Sequence, residues 1–318
     1  MHGPGQQHDG VSNAVPSVLR QLDGLHVRLE RQLAHLRDET LADSALRTLA
    51  RDLLRIVDMG QDVALACVLL NQIAGGYAVR HCIETAIVVA VVGQGICLGE
   101  EQLESVTAAA LTMNAAMLDE HDSFSTRDRL SGAEQARLRK HPEDAARLLA
   151  CAGISDEEWL ASVLLHHEDD DGSGYPHGLP GREIPRGARL LRLADRYCAR
   201  VSARNYRRSL LPDRALEELA ASSLDTDLAE AFRRFVGTYP PGTLVRLGDG
   251  TTGVIAYRPA VPDQGPDVHC LRDADGVPLA MPVTRRAGET CTIVAALPED
   301  EADLRFAMKA VWGALAAR

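Results

Sequence analysis

One stretch of the chain, residues 164–185, reads LLHHEDDDGSGYPHGLPGREIP and bears most directly on the fold. It places two adjacent histidines, His166 and His167, at the end of an apolar helical pattern and follows them with a glycine-rich loop. Neighbouring residues do not share a helix face, so a core could not bury both imidazoles equally, whereas a metal site at a helix end can receive both. One packed and one exposed histidine is the alternative, and the loop behind the pair favours the metal site.

Upstream of this stretch, apolar residues recur at three- and four-residue steps, which predicts a succession of helices. Capping-box spacings at Ser131 with Glu134 and at Ser155 with Glu158 predict where two of these helices begin. The predicted helical patterns cover residues 18–36, 41–59, 63–73, 79–96, 103–118, 138–151 and 159–167.

Downstream, after Pro240-Pro241-Gly242, the pattern changes to short alternating runs at residues 243–247, 253–257, 268–272 and 290–295. Asp249-Gly250 and Asp275-Gly276 predict hairpin turns, because both residue types can supply the positive φ of tight turns. Residues 301–316 return to helical spacing. The fold class is therefore mainly α, with a small C-terminal β module.

Composition limits the kinds of partner. The 318 residues contain 34 Lys and Arg against 45 Asp and Glu, a net charge of −11, which disfavours broad binding to duplex nucleic acid or an anionic membrane. A small anionic ligand in a locally basic pocket remains open. Seven scattered cysteines, the lack of a signal-peptide pattern and the lack of an apolar run of 18 residues predict a cytoplasmic protein.

The pattern of HHE followed by DGSGYP resembles the signature of the HD-GYP family, bacterial metal-dependent phosphodiesterases that hydrolyse cyclic di-GMP. The resemblance implies an HD-type helical bundle. Together with the patterns above, it divides the chain into a disordered tail (1–16), an N-terminal helical region (17–74), an HD-GYP-like domain (75–236), a small barrel-like β module (237–297) and a C-terminal helix (298–318).

The same resemblance implies a set of metal ligands and shows where the family pattern is broken. The family's His-Asp pair aligns with Met113 and Asn114, and its lysine aligns with Met117. Some members carry a glutamate four residues before the first histidine, where this chain has Tyr77, so a three-metal centre is not expected. The implied ligands that this chain retains are His81, His141, His166, His167 and Asp195.

The departure at Met113 and Asn114 weakens a two-metal centre, because a neutral amide and a thioether are poor ligands for hard or borderline cations. Three imidazoles could still hold one divalent transition metal, Fe, Mn, Zn or Ni, and an empty site is the alternative. The literal dipeptide His121-Asp122 follows eight residues after Met113. We interpret it as a solvated loop rather than as a displaced ligand pair.

Two further groups follow from the resemblance. Arg204 and Arg207 are implied to contact the phosphates of the ligand, a task that suits guanidinium groups. The loop at Gly174, Tyr175 and Pro176 is implicated in docking diguanylate cyclase domains, or it shapes the bundle.

The sequence therefore predicts a degenerate HD-GYP-type protein that senses cyclic di-GMP, a related cyclic dinucleotide or a protein partner, with weak or absent hydrolysis. Two alternatives stay open. One is an active cyclic di-GMP phosphodiesterase with a reduced metal site, and the other is a protein-binding adaptor. The N-terminal helices could form a homodimer or receive a signal.

Overall fold

The computed structural model describes residues 16–124, 127, 129–202, 209–223, 225–259, 261 and 264–318. The tail predicted at residues 1–16 lies outside the described residues except for Pro16. The helices before the sheet are α1 Val18–His35, α2 Asp43–Met59, α3 Gln61–Leu69, α4 Tyr77–Gly95, α5 Glu100–Thr112, α6 Leu118–Phe124, α7 Gly132–Cys151, α8 Glu157–Leu165, α9 Arg186–Val201, α10 Pro212–Ser222 and α11 Thr226–Phe235.

Helix α4 is the centre of the bundle and packs against α5, α9 and α2. Contrary to the sequence analysis, it is a 19-residue helix that is long and apolar enough to cross a membrane. Within the fold, however, 83% of its apolar window is buried, as in a core helix. One continuous core joins α1 to α11 and extends to residues of the sheet such as Val254 and Ala256.

The predicted capping box of α7 is confirmed, because Ser131 accepts from the backbone of Glu134 while the Glu134 side chain accepts from the backbone of Ser131. The capping box predicted at Ser155 is wrong. Asp156 is the N-cap of α8 and accepts from the backbone N–H of Trp159 at 2.9 Å. A carboxylate one residue later therefore takes the role predicted for the hydroxyl.

Two predicted helices end early. The helix predicted over 103–118 ends at Thr112, and a turn at residues 113–116 separates it from α6. The helix predicted over 63–73 ends at Leu69, after which Asn71 takes a positive φ of 50°. The sequence analysis predicted both helices too long, because apolar residues in the two turns also face the core and continue the helical spacing.

The C-terminal module is an antiparallel five-stranded sheet in the order β4-β3-β2-β1-β5. Its strands are β1 Leu244–Leu247, β2 Thr252–Tyr257, β3 Asp267–Arg272, β4 Pro278–Arg286 and β5 Ile293–Leu297. The sequence analysis missed β4, since this edge strand is exposed along most of its length and shows no alternation of burial. It also placed β5 too early, at residues 290–295.

Both predicted hairpin turns are present, but only their glycines take positive φ, 90° at Gly250 and 78° at Gly276. The predicted C-terminal helix is broken into α12 Glu299–Ala302, α13 Met308–Trp312 and a 3-10 turn. Asp303 interrupts it with a left-handed conformation. Trp312 then fixes the end of the chain to the sheet by donating its indole N–H to the Ala256 carbonyl at 2.8 Å.

Arg47 of α2 joins three helices by donating to Glu104 of α5 at 3.2 Å and to Asp156 before α8 at 2.8 Å. Hydrogen bonds from Arg51 and Arg47 lower the pKa of Glu104 below its ordinary value of 4.5. Burial alone would raise the pKa of Asp156, but hydrogen bonds from Ser105, the Trp159 backbone and Arg47 outweigh it.

These lowered pKa values predict acid sensitivity. As the pH falls, the carboxyl groups of the unfolded chain take up protons before those of the folded chain. The stabilisation is therefore fully present above the ordinary carboxyl pKa values and is lost as the pH falls through the lower pKa values of the folded state. We expect the urea midpoint to fall between about pH 5 and pH 3. The fall should be smaller in Arg47→Met, and an equal fall in that variant would contradict the prediction.

Candidate metal centre

Three of the predicted ligands converge at one place. His141 lies within α7, His166 caps the C-terminus of α8 and His167 follows it. The ring centroid of His167 lies 4.1 Å from that of His166 and 5.0 Å from that of His141. One potential ligand atom from each residue falls within 4.8 Å of the others, which makes this histidine trio a candidate metal site.

Hydrogen bonds fix which nitrogens of His141 and His166 face each other. The Nδ1–H groups of His141 and His166 donate to the carbonyls of Leu138 and Val163, both at 2.6 Å. Since a neutral imidazole carries one N–H, each Nε2 then presents a lone pair, and the two Nε2 atoms lie 3.2 Å apart. Two acceptors facing each other lack a donor between them. A second nitrogen held by a backbone carbonyl is the usual environment of a metal-binding histidine.

The charges around the trio also suit a cation. Burial and the neighbouring His166 lower the pKa of His141 to about 3. Burial likewise lowers the pKa values of His166 and His167, so the trio is neutral at physiological pH. The donor set is therefore three uncharged nitrogens, which suits a divalent transition metal.

His81 and Asp195 form a separate pair beside the trio. The Nε2–H of buried His81, on α4, donates to Oδ1 of Asp195, on α9, at 2.7 Å. Burial alone would raise the pKa of Asp195, but the hydrogen bond and charge of His81 lower it well below its usual range. The charge of Asp195 also acts on His166 and His167, so a carboxylate lies close to the trio.

The positions that the sequence analysis aligned with the family's His-Asp pair and lysine carry uncharged side chains. Met113, Asn114 and Met117 are all buried. The side-chain amide of Asn114 donates to the sulfur of Cys82, 3.8 Å away, and burial raises the pKa of the Cys82 thiol to about 12. The amide of Asn114 is thus paired with a neutral thiol.

The dipeptide His121-Asp122 is not the solvated loop that the sequence analysis favoured. His121 lies on α6, and its ring is nearly parallel to those of Tyr77 and His81, at centroid distances of 5.4 and 5.8 Å. Asp122 accepts from the backbone N–H of Ala78 at 2.6 Å. Both residues therefore act on the first turn of α4, the helix that carries His81.

Asp122 does for α4 what the N-cap residue, Gly76, cannot do without a side chain. We expect Asp122→Ala to lower the free energy of unfolding by about 1 kcal/mol, the usual effect of losing an N-cap. Urea denaturation measures this, with exposed Asp119→Ala as the matched control on the same helix. Equal midpoints for the two variants would show that the cap contributes nothing.

Glu168, the residue after the histidine pair, organises the loop that follows. Its fully buried carboxylate accepts from the backbone N–H groups of His177, Gly178 and Leu179 at 2.6, 3.2 and 2.9 Å. A side chain at Gly174 would collide with the backbone of Glu168 and its neighbour. The sequence analysis gave Glu168 no role, although its place between the histidine pair and a glycine-rich loop was a signal for one.

The same loop lays Tyr175, which precedes cis Pro176, against the trio. The ring of Tyr175 lies 4.7 Å from that of His167, and the guanidinium carbon of Arg139 lies 4.7 Å from the Tyr175 centroid. Of the three loop residues predicted there, Tyr175 thus contacts the candidate metal centre through His167. The predicted phosphate contacts, Arg204 and Arg207, lie outside the described residues.

Comparisons with known proteins identify the family of this chain. The HD domain family matches residues 42–228. A cyclic di-GMP phosphodiesterase of Pseudomonas aeruginosa, PA4108, is 33% identical over 59% of this chain and 46% of its own length. The response regulator RpfG of Xanthomonas campestris, also a cyclic di-GMP phosphodiesterase, is 33% identical over 42% of this chain and 36% of its own.

The chain therefore spans less than half of the length of these curated relatives. Among solved structures, Bd1817, an HDG"Y"P protein of Bdellovibrio bacteriovorus, matches with a TM-score of 0.53 and 14% identity, over 70% of this chain and 73% of its own. That likeness confirms the mainly α fold. Since the HD domain match covers more than half of the chain, and the signature and relatives agree with it, this protein belongs to the HD domain family, among its HD-GYP members.

Proposed function

We propose that this protein binds cyclic di-GMP, or a related cyclic dinucleotide, at a site containing one metal ion held by His141, His166 and His167. Its hydrolysis of the bound nucleotide is weak or absent. The observation that carries the proposal is the pair of Nε2 lone pairs of His141 and His166 facing each other at 3.2 Å. The names of the relatives supply the nucleotide.

The metal part of the proposal rests on the donor set. Neutral imidazole nitrogens suit iron, manganese, zinc or nickel, and the backbone hydrogen bonds of His141 and His166 hold their rings in the required orientation. Asp195 adds a nearby negative charge. A metal bound there would act as a Lewis acid toward a phosphate oxygen.

The weak-hydrolysis part rests on the other half of the site. His81 and Asp195 are hydrogen-bonded to each other, and the neutral Met113 and Asn114 replace the ligands that a second metal would need. Without a second cation, less charge is available to stabilise the attacking and leaving oxygens of a phosphodiester. The site can therefore still bind the nucleotide, but it hydrolyses the nucleotide more slowly than a site with two metal ions would.

Calorimetric titration with cyclic di-GMP tests the proposal, using protein loaded with one metal and protein stripped by a chelator. We expect saturable binding of cyclic di-GMP that weakens when the metal is removed. We also expect the metal-loaded protein to hydrolyse cyclic di-GMP with a turnover number well below about 1 s⁻¹, the lower end of the ordinary enzymatic range. Turnover within that range would establish the active phosphodiesterase instead. If the protein binds neither metal nor nucleotide, the alternative of a protein-binding adaptor is favoured.

A further inference from the structure

Arg139 is an exposed cation beside the metal centre, on α7 two residues before His141. Among the described residues, no carboxylate forms an ion pair with it. Two other arginines of the described part of the chain are already paired, Arg80 with Glu84 and Arg196 with Asp169. The charge of Arg139 is thus available to a ligand.

Its position is set by an aromatic ring rather than by an acid. The guanidinium carbon lies 4.7 Å from the ring centroid of half-buried Tyr175, a cation–π contact. A guanidinium packed by its face keeps its N–H groups at the edge, where they can bind two oxygens of one phosphate. Tyr175 therefore orients Arg139 without using its hydrogen-bonding capacity.

The same ring links Arg139 to the metal centre. Tyr175 lies 4.7 Å from His167, ring centroid to ring centroid, so one aromatic ring contacts both the guanidinium and the trio. A cyclic dinucleotide carries two phosphodiesters across one macrocycle. If one of them is at the trio, a cationic group a short distance away can bind the other, in addition to any contact from Arg204 or Arg207, which lie outside the described residues.

We propose that Arg139, seated on Tyr175, binds the second, non-reacting phosphate of a cyclic dinucleotide whose first phosphate lies at the histidine trio. The inference rests on the proposed function. It adds a reason why the protein would bind a ligand with two phosphates more tightly than a ligand with one. Tyr175 is the positioning residue, and Arg139 is the contact.

The test compares Arg139→Ala with Arg137→Ala, an exposed arginine two residues away and on another face of α7. Titration with cyclic di-GMP should show binding about 10- to 100-fold weaker in Arg139→Ala, the loss expected for a charge-assisted hydrogen-bonded contact. Arg137→Ala should bind as the wild type does. Tyr175→Leu should reproduce the loss, and the double variant should be no weaker than Arg139→Ala.

A ligand with one phosphodiester, bis(p-nitrophenyl) phosphate, separates the two subsites. Its affinity, measured by competition, should be unchanged in Arg139→Ala. An equal loss for both ligands would place Arg139 at the reacting phosphate and overturn the inference, as would equal effects of Arg137→Ala and Arg139→Ala. If the wild type binds cyclic di-GMP and Arg139→Ala binds it equally well, the second-phosphate subsite is wrong but the proposed function stands. If the wild type does not bind cyclic di-GMP, the proposed function is wrong as well.

Discussion

Replacing His166 with alanine is expected to remove the metal from the purified protein, from one ion per chain to background. His166 supplies one of the two facing Nε2 atoms, and its other nitrogen is already held by Val163. Variants that disturb only a ligand's hydrogen-bond partner lose about 10- to 100-fold in metal affinity. Loss of a ligand should exceed that, and elemental analysis together with chelator competition measures it.

The matched control is His177→Ala, an exposed histidine in the neighbouring loop whose metal content should stay at one per chain. Circular dichroism distinguishes a folding defect in His166→Ala from the specific loss of a metal ligand. A chelator should lower the melting temperature of the wild type but not that of the variant, because only a ligand bound to the folded state stabilises it. Stoichiometric metal in His166→Ala would show that the trio is not the site.

Replacing Glu168 with alanine is expected to cause the largest loss of stability of any single change considered for the site. The substitution leaves three backbone N–H groups, those of His177, Gly178 and Leu179, without their buried acceptor. A hydrogen bond to a charged group contributes about 1.5–3 kcal/mol, and the more exposed of the three amides can regain water, so we expect the free energy of unfolding to fall by about 3–5 kcal/mol. Urea denaturation measures this fall.

Glu168→Gln, which keeps one acceptor oxygen, should lie between the alanine variant and the wild type. The control is Glu183→Ala, an exposed glutamate in the same loop region whose loss should stay within about 0.5 kcal/mol. Hydrogen exchange at the three amides gives an independent readout, because they should exchange faster in Glu168→Ala. Unchanged protection together with an unchanged urea midpoint would contradict this role.

A series of contacts connects the loop to the candidate metal centre. Glu168 orders the segment that lays Tyr175 on His167, and Tyr175 in turn orients Arg139. The glycine-rich loop was predicted either to dock a partner or to shape the bundle. Its contacts within the protein support the second role, and docking of a diguanylate cyclase domain stays a prediction.

Local patterns in the sequence were sufficient for most of the helical bundle. Helix spacing is set by the period of apolar burial, and Ser131 caps α7 through residues three positions apart, so both can be predicted from neighbouring residues. The pair His166-His167 could also be predicted, because it and its loop form a continuous signature, whereas His141 followed only from the family resemblance that this signature carried. Edge strand β4 could not, since it buries too little to impose an alternating pattern.

Tertiary structure alone decided how distant residues meet. Nothing local to His121-Asp122 shows that α6 lies against the first turn of α4, where Asp122 caps Ala78 and His121 stacks on His81. The tautomers of His141 and His166 depend on carbonyls three residues away, but the facing of their two Nε2 atoms depends on the packing of α7 against α8. Sequence thus determined which side chains could bind a metal, and packing between helices decided which of them meet, because that contact is made in space between segments far apart in the chain.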